Sequence, residues 1–139
     1  MSRNLNADGV DASSRPSANE ALIYVVDDKE VLVQFAEAVL QSAGYQVRSF
    51  TDPKKTLAAI LEAGRQPDLL ITDYDMGDMN GLELIEASHG KNPGLKTLLL
   101  SGTVTEDFIK NSAIKVDHFL AKPYQPPKLI SVVGEVLAG

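Results

Sequence analysis

From Ala21 onward, short apolar runs alternate with segments in which apolar residues recur at helical spacing. This alternation is typical of an α/β fold built on a largely parallel sheet. Five runs are predicted to be strands: residues 21–26, 45–50, 68–72, 97–100 and 116–120. The first, third and fourth runs are almost continuously apolar, so we expect them in the middle of the sheet, covered by helices on both faces. Gln46 and Arg48 favour an edge position for the second run, and the fifth is a short final strand.

Two of the predicted helices are bounded by residues that commonly start or stop a helix. The first is expected to begin near Asp28 and to stop at Gly44. Its apolar residues at helical spacing are Leu32, Phe35, Ala36 and Val39. The second is expected between Asp52 and Gly64, with Pro53 in its first turn. Three of its residues are predicted to face inward: Leu57, Ile60 and Leu61.

Three further helices are predicted over about 82–88, over about 105–113, and after Pro126 and Pro127. The inward residues of the last helix are predicted to be Leu129, Val133, Val136 and Leu137. Segment 1–20 has only Leu5 and Val10 as large apolar residues, so we expect a disordered tail before a single domain over residues 21–139. No output domain is expected after the last helix, because the chain ends there.

Composition narrows the class of protein. The 139 residues are 44% apolar and 23% charged, which suits one domain with a hydrophobic core. A formal net charge of −6 argues against direct binding to nucleic acid or to anionic lipid. The absence of cysteine excludes disulfides, zinc–thiolate sites and a cysteine nucleophile, and a reducing, cytoplasmic location fits best. No apolar run approaches the roughly 20 residues that cross a bilayer, and no secretory signal is present.

Polar residues follow four of the predicted strands where each strand ends. They are Asp27 and Asp28 after the first strand, Asp73 and Asp75 after the third, Ser101 and Gly102 after the fourth, and Lys122 and Pro123 after the fifth. In an open parallel sheet, ligands collect beyond the carboxyl ends of the strands, so we expect these residues to converge. Singly, each has a structural alternative: Asp28 as a helix cap, Ser101 as a loop residue, Lys122 as a solvated lysine. Their joint placement favours a shared site.

Several carboxylates at one place resist joint ionisation, so a cation is expected among them. Because neither His nor Cys lies at these strand ends, the ligands are oxygens and the site suits Mg²⁺, with Mn²⁺ as a substitute. The metal charge would let one carboxylate attack a phosphorus centre, and Asp73 is the predicted nucleophile. Lys122 and Ser101 would then supply counter-charge and a hydrogen-bond donor to the phosphoryl oxygens.

Over residues 21–139 the chain resembles the receiver domain of two-component response regulators, the CheY-like family. In that family an acidic pair closes the first strand, as Asp27 and Asp28 do here, and the acceptor aspartate opens a loop that resembles residues 73–81. Ser101 matches the conserved Ser or Thr, and the stretch Phe-Leu-Ala-Lys-Pro matches the switch aromatic at Phe119 and the lysine at Lys122.

The resemblance implies a doubly wound, flavodoxin-like (βα)5 fold with strand order 2-1-3-4-5. It implies that a sensor histidine kinase or a histidine phosphotransfer protein supplies a phosphoryl group to Asp73. Asp27, Asp28, Asp73 and the main-chain carbonyl of Asp75 would hold Mg²⁺, and the Lys122–Pro123 bond would be cis. The protein would be a single-domain signalling protein rather than an enzyme, with slow self-catalysed phosphorylation and dephosphorylation.

By the same resemblance, phosphorylation would draw Ser101 toward the phosphate and let Phe119 rotate inward. This would remodel the surface formed by the fourth helix, fifth strand and fifth helix for a downstream protein. Asp75 and Thr103, each two residues beyond a site residue, would tune the lifetime of the phosphorylated state.

The chain departs from the family pattern at three places. Gly77 replaces the usual proline, which predicts a less rigid loop, and Gly102 replaces the commoner alanine. Lys115 and Val116 stand where Gly-Ala is frequent and add bulk and charge near the expected signalling face. His89 and His118 could suggest a phosphohistidine relay, but we expect ordinary surface roles for both.

Three classes of protein are alternatives to a phosphorylated single-domain receiver. A haloacid dehalogenase-type phosphatase also uses Asp-x-Asp, then Ser or Thr, then Lys, which Asp73, Asp75, Ser101 and Lys122 would fit. Its acidic metal pair follows the lysine, whereas Asp27 and Asp28 come first here, and the motif order therefore argues against it. The full set of site residues argues against a receiver that binds partners without phosphorylation, whereas a receiver fragment of a longer regulator stays open.

Overall fold

A computed structural model describes residues 20–139 as five strands that alternate with five helices. The strands are β1 (Leu22–Val26), β2 (Gln46–Phe50), β3 (Leu69–Asp73), β4 (Lys96–Ser101) and β5 (His118–Ala121). The helices are α1 (Glu30–Ser42), α2 (Pro53–Glu62), α3 (Gly81–Lys91), α4 (Glu106–Lys110) and α5 (Pro126–Ala138). Apart from Glu20, the predicted tail over residues 1–20 lies outside the described residues. No helix of this described part is long and apolar enough to span a membrane.

All five strands are parallel, in the order β2-β1-β3-β4-β5. This confirms the strand order implied by the resemblance, the central positions of β1, β3 and β4, and the edge position of β2. Because every strand runs in the same direction, the carboxyl ends of all five lie along one edge of the sheet.

The sheet separates two apolar layers, because successive side chains of a strand point to opposite faces. In β1, Ile23 and Val25 pack with residues of α1 and α5, whereas Tyr24 and Val26 pack with residues of α2, α3 and α4. The central strands are therefore buried on both faces, which explains their nearly continuous apolar sequences. Strand ends anchored between two packed layers give the adjoining polar residues fixed positions.

Two apolar residues face outward where helical spacing had suggested burial. Leu61 was predicted to face inward, but it is 48% exposed, because it follows the fully buried Ile60 by one residue and is rotated about 100° from it. Phe35 in α1 is 44% exposed for the same reason, since it precedes the buried Ala36. In α5 the predicted inward residues Leu129, Val133 and Val136 are buried, and Leu137 is partly buried.

Two helices differ in length from the prediction. Helix α3 begins at Gly81 because Asn80 and Glu83 form a reciprocal capping box, and it continues to Lys91, beyond the predicted end near residue 88. Helix α4 begins at Glu106, after its N-cap residue Thr105, and ends at Lys110 instead of near residue 113. Ser112 Oγ accepts a hydrogen bond from the main-chain N–H of Ile114, a local contact that competes with helix continuation.

The close approach of α3 to the end of β3 predicts a strict requirement for glycine at position 81. A Cβ atom there would overlap the main-chain carbonyl oxygen of Asp73 and lie 2.6 Å from Leu99 Cδ1. We expect Gly81→Ala to lower the free energy of unfolding by about 2 kcal/mol, measured by urea denaturation. Gly90→Ala in the same helix meets nothing within 4 Å and should be neutral or stabilising by about 0.5 kcal/mol. Equal effects of the two substitutions would contradict this packing.

Candidate functional site

The ends of four strands bring the predicted site residues to one edge of the sheet. Asp27 follows β1, Asp73 ends β3, Ser101 ends β4, and Lys122 follows β5. Main-chain hydrogen bonds extend the sheet to these residues: the Asp27 N–H donates to Phe50 at 3.2 Å, and the Lys122 N–H donates to Ser101 at 2.8 Å. The backbone of the sheet, and not the loops, therefore sets the spacing of these side chains.

Three carboxylates form a compact acidic cluster at this edge. One carboxylate oxygen from each of Asp27, Asp28 and Asp73 lies within 4.8 Å of the others. Asp27 and Asp73 are buried and Asp28 is exposed. Asp28 does not cap α1, because the N-cap residue is Lys29, and it is Asp27 Oδ1 that accepts from the Lys29 N–H at 2.9 Å.

Lys122 lies between the two buried carboxylates. Its Nζ donates to Asp27 Oδ2 and to Asp73 Oδ1, both at 3.0 Å, and its side chain is 19% exposed. This geometry excludes the alternative of a solvated surface lysine. The following Lys122–Pro123 bond is cis, as the resemblance implied.

Burial and charge shift the pKa values of this pair in a consistent way. Burial raises the pKa of Asp73, Lys122 lowers it through a hydrogen bond and its charge, and the charge of Asp27 raises it again, so the net shift is upward. Burial lowers the pKa of Lys122, but hydrogen bonds to Asp73 and Asp27 and their charges outweigh burial and raise it overall. Lys122 therefore stays an ammonium, and one ammonium among three carboxylates leaves excess negative charge.

The cluster has the composition of a hard-cation site. Every side-chain ligand is a carboxylate oxygen, the donor type that Mg²⁺ and Mn²⁺ prefer. Both oxygens of Asp27 already accept hydrogen bonds, but each carboxylate oxygen has a second lone pair that remains available to a cation. The residues present therefore fit a divalent cation.

The hydroxyl of Ser101 makes its hydrogen bonds inside the loop between β4 and α4. Ser101 Oγ accepts from the main-chain N–H groups of Thr103 at 3.0 Å and of Val104 at 2.9 Å, and lies 3.3 Å from Thr103 Oγ1. Thr103 Oγ1 in turn donates to Asp75 Oδ2. The sequence singled out Asp75 and Thr103 separately, and the structure joins them in one contact between two loops.

Phe119 lies in β5 beside Leu99 of β4 and is partly buried. Together with Ile109 and Ile114 it lines an open groove of about 340 Å³ between α4 and β5. The aromatic ring is therefore neither a fully enclosed core residue nor a surface residue.

An apolar surface beside the cluster was not anticipated. Phe35 is an exposed aromatic residue, and its ring lies 6.1 Å from that of Tyr124. Phe35 and Tyr124 line a cavity of about 320 Å³ that Asp27 and Lys122 also line. Helical spacing suggested that Phe35 faces inward and therefore gave no indication of this surface. The one sequence feature that could have indicated it is Tyr124, which follows Lys122 and Pro123 directly.

Gly77, one of the departures from the family pattern, adopts a conformation that proline cannot take. Its φ is +81°, whereas the proline ring fixes φ near −65°. The loop after Asp73 therefore follows a path that excludes the usual proline.

The raised pKa of Asp73 predicts that its ionised form destabilises the metal-free fold. A folded-state pKa above the unfolded one means that stability is lost as pH rises through the folded pKa. In EDTA at pH 7, Asp73→Asn should raise the melting temperature, and this gain should shrink as pH falls toward the ordinary aspartate pKa.

Asp78→Asn is the matched control, because Asp78 lies in the same loop with its side chain 90% exposed. It should change the melting temperature little at any pH. A lower melting temperature for Asp73→Asn at pH 7 would contradict the assigned direction.

Comparisons with known proteins identify regulatory proteins that are similar to this chain in sequence. The chain is 30% identical over 118 residues to the probable transcriptional regulatory protein TcrX of Mycobacterium tuberculosis, covering 84% of this chain and 49% of that protein. It is 34% identical over 119 residues to the DNA-binding transcriptional regulator NtrC of Rhizobium meliloti, covering 85% of this chain and 24% of that protein. The chain thus spans about half or less of the length of these curated relatives.

Solved structures give the same assignment. Chemotaxis response regulator CheY4 of Vibrio cholerae superposes with a TM-score of 0.76 at 29% identity, covering 84% of this chain and 98% of that one. A CheY-like receiver domain from Methanospirillum hungatei superposes with a TM-score of 0.77 at 26% identity, covering 85% and 94%. The response regulator receiver domain family matches residues 23–134. The chain therefore belongs to the response regulator receiver domains of two-component signalling systems.

Proposed function

We propose that Asp73 accepts a phosphoryl group from a phosphohistidine of a sensor histidine kinase or a histidine phosphotransfer protein. The reaction depends on Mg²⁺, and the phosphorylated domain signals through a changed protein-binding surface. The observation that supports this proposal most is the position of Lys122, 3.0 Å from both Asp27 and Asp73 and beside a third carboxylate. We also propose that the protein acts in the cytoplasm.

The transfer is a single displacement at phosphorus. A carboxylate oxygen of Asp73 bonds to phosphorus while the P–N bond to the donor imidazole breaks, and the imidazole nitrogen keeps that electron pair. Both reactants are anionic, so positive charge beside Asp73 lowers the barrier. Lys122 supplies such a charge, and its three N–H donors let it contact a phosphoryl oxygen while it keeps Asp27 as a partner.

The acidic cluster is the proposed metal site. Asp27, Asp28 and Asp73 provide carboxylate oxygens, and the main-chain carbonyl of Asp75 is proposed as the fourth protein ligand. When bound, Mg²⁺ supplies positive charge that offsets the repulsion between the Asp73 carboxylate and an anionic phosphoryl group, and Mn²⁺ would use the same ligands. The excess negative charge of the cluster supports this assignment.

The apolar surface beside the site supports a protein as the phosphoryl donor. A donor histidine must reach Asp73, so the donor must cover the rim of the site. Phe35 and Tyr124 line the cavity that Lys122 also lines, and the exposed ring of Phe35 offers apolar area there. Apolar area of this kind is typical of surfaces that contact another protein.

The proposed output uses Ser101 and Phe119. A phosphoryl group on Asp73 would attract the Ser101 hydroxyl, and movement of its loop would shift the start of α4, which is capped by Thr105. The groove between α4 and β5 offers Phe119 space into which its ring can rotate. The face formed by α4, β5 and α5 would then change shape for a downstream protein. Asp75 and Thr103 are proposed to tune how long this state lasts.

Metal binding should be visible as added stability. We expect the melting temperature to rise with Mg²⁺ concentration, by about 1.4 kcal/mol, or roughly 5 °C, at ten times the dissociation constant. Asp28→Asn removes an exposed ligand without touching Lys122 and should weaken this rise. Asp78→Asn, which keeps the cluster intact, should leave it unchanged. Identical Mg²⁺ responses from the Asp28 and Asp78 variants would rule out the cluster as the metal site.

Phosphorylation itself is tested by intact-mass analysis after incubation with acetyl phosphate and Mg²⁺. We expect a single phosphoryl adduct on the wild type and on Asp78→Asn, and none on Asp73→Asn or in the presence of EDTA. If the wild type forms no adduct and also shows no Mg²⁺-dependent stabilisation, a receiver that binds partners without phosphorylation becomes the better assignment.

A further inference from the structure

We infer that the carboxylate of Asp75 restrains the β4–α4 loop in the unphosphorylated state by holding the hydroxyl of Ser101 through that of Thr103. We call these three side chains the Ser101–Thr103–Asp75 chain. The inference rests on the proposed phosphorylation of Asp73 and specifies how the two proposed tuning residues act. In the Ser101–Thr103–Asp75 chain, the hydroxyl of Thr103 competes with a phosphoryl group for the single proton of the Ser101 hydroxyl.

The direction of the hydrogen bonds follows from the chemistry of the groups. A carboxylate only accepts, so Thr103 Oγ1 must donate its one proton to Asp75 Oδ2. Thr103 Oγ1 can therefore only accept from Ser101, and the 3.3 Å contact between the two hydroxyls runs from Ser101 to Thr103. The Ser101 proton that would serve a phosphoryl oxygen thus already points along this chain.

Ser101 is also tied to the loop backbone. Its Oγ accepts from the N–H groups of Thr103 and Val104, so Ser101, Thr103 and Val104 form one hydrogen-bonded turn. Asp75 belongs to a different loop, so a movement of this turn changes the position of Thr103 relative to Asp75. Asp75 is therefore an anchor outside the moving segment.

The energies make the exchange possible. The Ser101–Thr103 contact at 3.3 Å is longer than an ordinary hydroxyl hydrogen bond and is readily given up. The Thr103–Asp75 bond involves a charged acceptor and is the stronger restraint. A phosphoryl group offers Ser101 a charged acceptor. When the β4–α4 loop closes on Asp73, Ser101 therefore gains a hydrogen bond to a phosphoryl oxygen and loses the one to Thr103. Removal of the Asp75 anchor should therefore favour the closed loop.

The test is binding of beryllium trifluoride, an anion that mimics a phosphoryl group on a carboxylate, measured by calorimetry with Mg²⁺ present. Thr103→Val removes the hydroxyl but keeps its shape and the charge of Asp75, and we expect roughly three- to tenfold tighter binding. Asp75→Ala should also tighten binding, and Asp75→Ala combined with Thr103→Val should add little beyond Asp75→Ala alone. Asp78→Ala, a charge removal in the same loop, should leave the affinity unchanged.

The outcomes separate a restraint from other roles. Unchanged affinity for Thr103→Val with tighter binding by Asp75→Ala would mean charge repulsion alone, and weaker binding by Thr103→Val would mean that its hydroxyl assists the anion. Either result overturns the inference, as does full additivity of the two substitutions. Matching melting temperatures in EDTA would show that the variants fold alike. Wild-type protein whose beryllium trifluoride binding is absent, or is the same in Asp73→Asn, would instead overturn the proposed function together with the inference.

Discussion

The ammonium group of Lys122 between Asp27 and Asp73 is the interaction on which the site depends. Two buried carboxylates at the ends of neighbouring strands repel each other, and the parallel sheet leaves them no freedom to move apart. Lys122 follows β5, and only β4 lies between β5 and the strand that ends in Asp73. From this position its Nζ contacts both carboxylates. Its loss would leave two buried charges uncompensated, which is costlier than the loss of an exposed ion pair.

The two apolar layers convert this local charge arrangement into a fixed geometry. Each central strand is buried on both faces, so the ends of β1, β3 and β4 hold their side chains in place without help from the loops. Chemistry that requires fixed spacing therefore lies at strand ends. The residues proposed to tune the phosphorylated state, Asp75 and Thr103, lie two residues beyond Asp73 and Ser101, where side chains are exposed.

Strand identity, the edge position of β2 and the convergence of the polar residues were predictable because each depends on a short local pattern. The role of Lys122 followed from its place at a strand end, whereas the resemblance supplied the strand order and the cis Lys122–Pro123 bond. Exposure of Leu61 and Phe35 was not predictable, because apolar spacing within a helix does not say which edge of the stripe meets the sheet. The contact between Asp75 and Thr103 joins two loops, and its geometry depends on backbone paths such as the left-handed turn at Gly77 that no local pattern encodes.

Hydrogen bonds at the sheet edge connect the site to the neighbouring loops. Lys122 donates to the carboxylates of Asp27 and Asp73, Thr103 donates to that of Asp75, and Ser101 donates to the hydroxyl of Thr103. A phosphoryl group on Asp73 would compete with these acceptors for the Ser101 and Lys122 donors, so the proposed phosphorylation would rearrange the contacts of the neighbouring loops. Burial and, to a smaller extent, the charge of Asp27 raise the pKa of Asp73, and the excess negative charge of the cluster suits it to a divalent cation. Under the proposed function, cation binding and loop movement would act on the same few atoms, and a change at one carboxylate would in this way alter a surface built from α4 and β5.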